Sequence, residues 1–148
     1  MQRTLILLKP DSVQRRLVGT LIHRFEQKGL RLVGMKLVQA SRELAEQHYA
    51  VHKGKPFYES LLSFLTSGPT VALVWEGREA VAVARGLMGA TDGTKAPPAT
   101  IRGDFALSVQ NNLVHGSDSV ENATTEINLW FSAAELVSWQ PADANWVG

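Results

Sequence analysis

The chain has 148 residues, with 15 Lys and Arg against 14 Asp and Glu and no cysteine. That length suits a single domain over residues 1–148. The near-cancelled charge excludes the global basic field of a nonspecific nucleic-acid binder, and the lack of thiols excludes disulfides, thiol catalysis and thiolate zinc sites.

Residues 4–8, Thr-Leu-Ile-Leu-Leu, are an apolar run of strand length that Pro10 ends, which predicts a short buried strand. The run is too short for a signal-peptide core, and no run approaches the ~20 residues that span a bilayer, so a soluble, cytoplasmic chain is expected. Val18, Leu21, Ile22 and Phe25 fall on one face of a helix that Gly29 can close. From residue 30 to 39 the pattern has period two, with Val33, Met35 and Leu37 on one face and Lys36 opposite. Residues 41–65 read as two short helices broken at Gly54-Lys55-Pro56. Ser41 can cap the first, although Leu44 stands where a capping box wants Glu or Gln. Val71–Trp75 is the next strand, a helix runs from about Arg78 to Met88, and the Gly/Pro/Thr-rich stretch 89–100 is an ordered loop. The final helix has Val120, Ala123, Thr124 and Ile127 on one face, with Asp118 and Glu121 spaced as a capping box. Strands interleaved with helices imply a sheet covered on one or both faces, without fixing its topology.

The chemistry centres on His115, in Asn-Leu-Val-His-Gly-Ser-Asp-Ser between an apolar strand-like run and a helix start. A neutral imidazole there can take up a phosphoryl group, Gly116 lets a substrate approach closely, and free N–H groups at a helix start attract anions. A lone histidine in a polar turn is the competing reading. Arg85 lies at the border of an apolar helix face, and Arg102 sits between Ile101 and Gly103; either could instead cover core with its aliphatic stem. His48 and His52 have metal-ligand spacing, but no Glu lies between them and no third ligand is evident, so no metal site is expected. Arg102-Gly103-Asp104 and Asn122-Ala123-Thr124 spell export-dependent motifs without an export signal, and Gly89–Lys95 fails P-loop spacing.

Five segments, TLILLKPD, SGPTVALVWEG, TIRGDF, NLVHGSDS and ELVSWQPADANW, fall in order along nearly the whole chain and resemble nucleoside diphosphate kinases. The resemblance implies a ferredoxin-like βαββαβ sandwich of the α+β class, with an antiparallel sheet. It also implies ping-pong transfer of the γ-phosphate of ATP to a nucleoside diphosphate of any common base. His115 matches the family's phosphorylated histidine, Glu126 the glutamate that bonds its other ring nitrogen, and Ser117 the serine that steadies that glutamate. Arg85 and Arg102, with Thr91, would grip the nucleotide's phosphates. Lys9 and Asn112 would contact the ribose hydroxyls, and Lys9 also the transferring group. Tyr49 would point its hydroxyl toward the nucleophile, and Phe57 would stack on the base without reading its edges. Magnesium would arrive with the nucleotide, held chiefly by its phosphates.

The resemblance further implies a homo-oligomer, and the tail ending Asn145-Trp146-Val147-Gly148 favours a hexamer over a tetramer. No membrane and no obligatory nucleic acid are implied. Four positions depart from the family pattern. Val51 replaces an acidic residue, Lys55 keeps a charge often carried by arginine, Asp92-Gly93 replaces Asn-Pro, and Ala99 replaces glycine. Two other readings are an RNA-binding sheet, for which the aromatic signature is missing, and a non-catalytic family member with an assembly or regulatory role.

Overall fold

Thr4 to Leu8 are all fully buried, which makes β1 (Gln2–Leu8) an inner strand covered on both faces. The computed structural model describes residues 1–148. β1 is followed by α1 (Pro10–Gln14), α2 (Val18–Lys28), β2 (Arg31–Val38), α3 (Arg42–His48), α4 (Tyr58–Thr66), β3 (Thr70–Gly77) and α5 (Ala80–Met88). Then come α6 (Ile101–Phe105), β4 (Val114–Gly116), α7 (Val120–Trp130) and α8 (Ala144–Val147). The sheet order is β2-β3-β1-β4, with every neighbouring pair antiparallel. This is the ferredoxin-like βαββαβ arrangement of β1, α2, β2, β3, α5 and β4, with α3 and α4 inserted before β3.

Alternation along β1 divides the interior into two cores. Ile6 and Leu8 join Leu73, Trp75 and Val114 under Leu21 and Phe25 of α2 and Ala84 and Met88 of α5. Leu5 and Leu7 face the other way, into a core closed by Ala45 of α3, Leu62 and Leu65 of α4, and Ile127 and Trp130 of α7. Each core removes apolar side chains from water at roughly 25 cal/mol per Å². Gly29 closes α2 at φ 101°, the left-handed conformation that glycine adopts without a Cβ penalty.

Several expectations need correction. Pro10 ends β1 but also opens α1, where its missing N–H is not needed. Val33, Met35 and Leu37 do not share a face. The β2–β3 register slips between Leu32 and Gly34, so the bulge turns Val33 into the second core. Met35 and Leu37 are then left exposed on the edge strand, at 57% and 67%. α5 starts at Ala80, after Glu79 in a left-handed turn. The N-cap of α7 is Ser119, whose hydroxyl accepts from the Asn122 N–H at 3.0 Å, while Asp118 bonds the Asn122 side chain instead. The buried face of α7 is Ala123, Ile127 and Trp130, Val120 being exposed, and α8 follows it as a further helix.

The loop 89–100 is ordered by specific bonds. Ala99 N–H donates to Asp104 Oδ1 at 2.9 Å, and the Ala99 carbonyl accepts from Arg24 at 2.9 Å. Gly103 must lack a side chain, because a Cβ there would lie 1.8 Å from the Pro97 carbonyl oxygen. Gly93 is confined likewise, since a Cβ there would lie 2.4 Å from the Ala106 carbonyl oxygen. Ala99 has φ 75°, so its methyl group is carried in a conformation that costs about 1–2 kcal/mol. Ala99→Gly relieves that strain and gives back part of it as unfolded-chain entropy. The expected outcome is a net gain of about 0.5–1 kcal/mol, read as a higher urea midpoint at unchanged m value; a lower midpoint contradicts the strain argument.

Candidate active site

β4 pairs with β1 so that His115 lies opposite Leu7. The His115 side chain therefore emerges on the face of the second core, beneath α3 and α7. Val114 and Gly116 point the other way. A Cβ on Gly116 would lie 2.6 Å from Met88 Sδ, so this glycine serves packing against α5, not the close substrate approach expected of it.

The turn into β4 is strained and held. Leu113 has φ 74°, and its side chain is fully buried. Its carbonyl accepts from the Lys9 N–H at 2.9 Å and the Ser12 hydroxyl at 2.6 Å, and its own N–H donates to Asp11 Oδ2 at 3.0 Å. A leucine in this region costs about 1–3 kcal/mol, and the Lys9-Pro10-Asp11-Ser12 segment supplies the three bonds that keep it there.

Around His115 the hydrogen bonds form one chain. His115 Nε2 lies 3.0 Å from Glu126 Oε2, the Ser117 hydroxyl donates to Glu126 Oε1 at 2.6 Å, and the Leu5 N–H donates to Ser117 Oγ at 3.2 Å. A carboxylate only accepts, so Nε2 carries the proton and the Nδ1 lone pair is free. The imidazole side chain is 25% exposed, open to a substrate. Burial alone would raise the Glu126 pKa, but the His115 bond and charge and the Ser117 hydroxyl hold it below the ordinary carboxylate value.

Cations collect nearby without acidic partners. Arg102 is 6% exposed, and its guanidinium donates to the carbonyls of Asn112 (3.2 Å), Gly89 (3.0 Å) and Val114 (2.7 Å). Burial, and then repulsion from Arg85, lowers its pKa to about 10, so it stays charged at neutral pH. Arg85 is exposed rather than folded over core, and its Nη1 reaches the Gly116 carbonyl at 3.3 Å. Lys9 donates to Asn112 Oδ1. Burial, opposed by Asp11 and reinforced by Arg102, lowers the Lys9 ammonium to about 8. None of Lys9, Arg85 and Arg102 makes a salt bridge.

The remaining expected residues lie around this centre. Asn112 also donates to the Thr91 carbonyl at 3.0 Å, which ties the loop to β4. Burial first, then Glu126, pushes the Tyr49 hydroxyl up to about 12, so it remains a neutral donor. Phe57 is 46% exposed at the start of α4, with the Lys55 ammonium 5.8 Å from its ring centre. Val51 is 81% exposed on the same hairpin. His48 and His52 do not converge: His48 packs on His115, and His52 Nδ1 lies 3.3 Å from Lys55 Nζ. The sequence offered His48 only as half of a discounted metal-spaced pair, and Trp130 was not singled out at all. Trp130 lies one helical turn beyond Glu126, which puts it on the same face of α7 and was the available signal.

The only cluster with metal-ligand spacing is His48, His115 and Glu126, whose donor atoms lie within 4.8 Å of one another. Two imidazoles and one carboxylate already engaged by Ser117 do not form the oxygen cage that magnesium requires. No helix is long and apolar enough to cross a membrane.

The family model for nucleoside diphosphate kinase matches residues 2–136. A nucleoside diphosphate kinase of Thermosynechococcus vestitus is 62% identical over 147 residues, covering 99% of this chain and 98% of the relative. One from Carboxydothermus hydrogenoformans is 57% identical, covering 99% of both. A halophilic nucleoside diphosphate kinase from Halobacterium salinarum, solved in complex with CDP, superposes with a TM-score of 0.97 at 48% identity, covering 99% of this chain and 98% of that one. A family protein from Babesia bovis gives a TM-score of 0.97 at 42% identity over the whole of both chains. The strained turn, the free ring nitrogen and the unpaired cations thus sit in a chain that belongs to the nucleoside diphosphate kinase family of enzymes.

Proposed function

We propose that this chain moves the γ-phosphoryl group of a nucleoside triphosphate to a nucleoside diphosphate in two half-reactions, with His115 holding the group between them. The observation that carries the reading is the free Nδ1 of His115, left open by the 3.0 Å bond from Nε2 to Glu126. In the first half-reaction the Nδ1–P bond forms as the bond from Pγ to the β,γ-bridging oxygen breaks. The diphosphate leaves with that electron pair. The second half-reaction is the reverse, with a different diphosphate.

The protein's task is positioning and charge stabilisation. As positive charge builds on the ring, Glu126 stabilises it through Nε2–H, and Ser117 fixes the carboxylate. Lys9, Arg85 and Arg102 are assigned to the phosphates, with Thr91 at the loop and Asn112 at the ribose. Arg102 keeps its guanidinium pinned by three carbonyls, so its contribution is a fixed charge more than a two-oxygen fork. Lys55 supplies a further charge at the hairpin, Tyr49 is a neutral donor near the nucleophile, and Phe57 is the platform for the base. A stacking platform reads no base edge, so ATP, GTP and their pyrimidine counterparts all serve. Magnesium belongs to the substrate complex, where it neutralises the phosphates. A homo-oligomer, hexameric with a tetramer as the alternative, fits the exposed Met35 and Leu37 on the edge strand and Trp146 at 89% exposure. A single-domain, cytoplasmic protein needing neither membrane nor nucleic acid completes the proposal.

Incubation with γ-labelled ATP and magnesium, without acceptor, is expected to label the protein with an acid-labile, alkali-stable group that GDP chases into GTP. His115→Ala takes up no label, and a folded wild type that stays unlabelled contradicts the proposal. Glu126→Gln is expected to slow labelling by roughly 10- to 100-fold, because the amide no longer stabilises the charged ring. Lys9 gives a pH test. Its ammonium is present below about 8 and lost above it, so kcat/KM falls as pH rises through that value. Bound phosphates raise the Lys9 pKa, so the kcat limb lies at higher pH; coincident limbs contradict the assignment of Lys9 to the phosphates.

A further inference from the structure

His48 is a half-buried titratable side chain beside His115 that the reaction above does not use. Its ring meets the His115 ring at 80° with centroids 4.6 Å apart, and Tyr49 and Trp130 pack on it at 74° and 84°. Trp130 Nε1–H donates to His48 Nδ1 at 3.2 Å. An indole nitrogen can only donate, so Nδ1 must be the unprotonated nitrogen and the neutral ring carries its proton on Nε2. Burial first, then repulsion from His115, Lys9 and His52, outweighs attraction by Glu126 and holds the His48 pKa near 3, so the ring is neutral at any working pH.

The His48 Nε2–H is buried and has no acceptor. An unmade hydrogen bond of this kind is destabilising, and a group kept at that cost beside a reacting atom points to a partner that arrives later. One ring nitrogen of each histidine and a Glu126 oxygen lie within 4.8 Å of one another, and the His48 and His115 ring centres are 4.6 Å apart, so a group carried on His115 lies beside the His48 ring. A metal ion is the competing occupant. Binding one at His48 Nε2 would move the proton to Nδ1, where it would face the Trp130 N–H donor to donor.

We infer that His48 belongs to the transfer machinery: Trp130 fixes its tautomer so that Nε2–H donates a hydrogen bond to an oxygen of the phosphoryl group held by His115. The inference rests on His115 as the carrier of that group. It makes the indole of Trp130 a positioning residue, acting through His48. It also explains why the His48 Nε2–H has no acceptor in the free protein.

The test compares single-turnover labelling by γ-labelled ATP in the wild type, His48→Gln, His48→Phe and Trp130→Phe, with ¹⁵N histidine spectra of the wild type before and after labelling. The wild type is expected to show the Nε2–H tautomer at His48, with that nitrogen shifting when His115 is phosphorylated. His48→Gln, which keeps an N–H at a similar reach, labels within a few-fold of the wild type. His48→Phe keeps a ring without the donor and labels roughly 10- to 100-fold more slowly, with nucleotide Kd unchanged. Trp130→Phe releases the tautomer and slows labelling in the same direction by less. A His48 spectrum with the proton on Nδ1, or one unmoved by phosphorylation, overturns the inference and needs no variant to fold. Equal labelling by His48→Phe and wild type overturns it as well. If the wild type itself is never labelled, the phosphohistidine reading has failed instead.

Discussion

A carboxylate can accept a hydrogen bond but cannot donate one, so the contact between His115 Nε2 and Glu126 decides which ring nitrogen is left to react. The rest of the site serves that decision. Ser117 fills the second carboxylate oxygen, and the Leu5 N–H of the central strand holds Ser117. The nucleophile is thereby tied through two side chains to the fully buried stretch of an inner strand of the sheet. A site carried on such a strand loses little precision to thermal motion, which matters because a small misplacement of reacting atoms is expensive in rate.

The second constraint is the backbone at Leu113. A left-handed leucine would be replaced by a relaxed turn unless the surroundings over-determined it, and the first turn of α1 does so with three bonds to one residue. One segment thus has two tasks. Lys9 supplies a buried ammonium to the site, while its own N–H, with Asp11 and Ser12, fixes the entry to β4. The positive charges follow a similar economy. Arg102 bonds three carbonyls of loop 89–100 and the Asn112–Val114 turn, and it still presents an unpaired charge.

Much of this was legible in the residues. The continuous apolar run at 4–8, the helical spacing from Val18 to Phe25 and the Gly29 stop are strong local signals, and all three elements formed. Val33, Met35 and Leu37 misled because a bulge moves one residue out of a period-two pattern without leaving a trace in the pattern itself. Asp118 misled because Ser119, one residue later, is an equally good cap and has the extended backbone that capping needs. Gly116 was read as room for a substrate, whereas the clash it avoids lies across the sheet, with Met88. At the site, motif order identified the residues, but their connections are tertiary. Nothing in the spacing of 115 and 126 reveals a hydrogen bond, and nothing in His48 reveals that Trp130, 82 positions away, sets its tautomer.

The central claim is that His115 reacts through Nδ1 because Glu126 holds Nε2. Nitrogen–phosphorus coupling in the ¹⁵N-labelled, phosphorylated protein identifies the bonded nitrogen directly. The account predicts coupling to His115 Nδ1, with Nε2 still protonated and bonded to Glu126. Phosphorus on Nε2 would contradict it, since the Glu126 bond could not then survive the reaction.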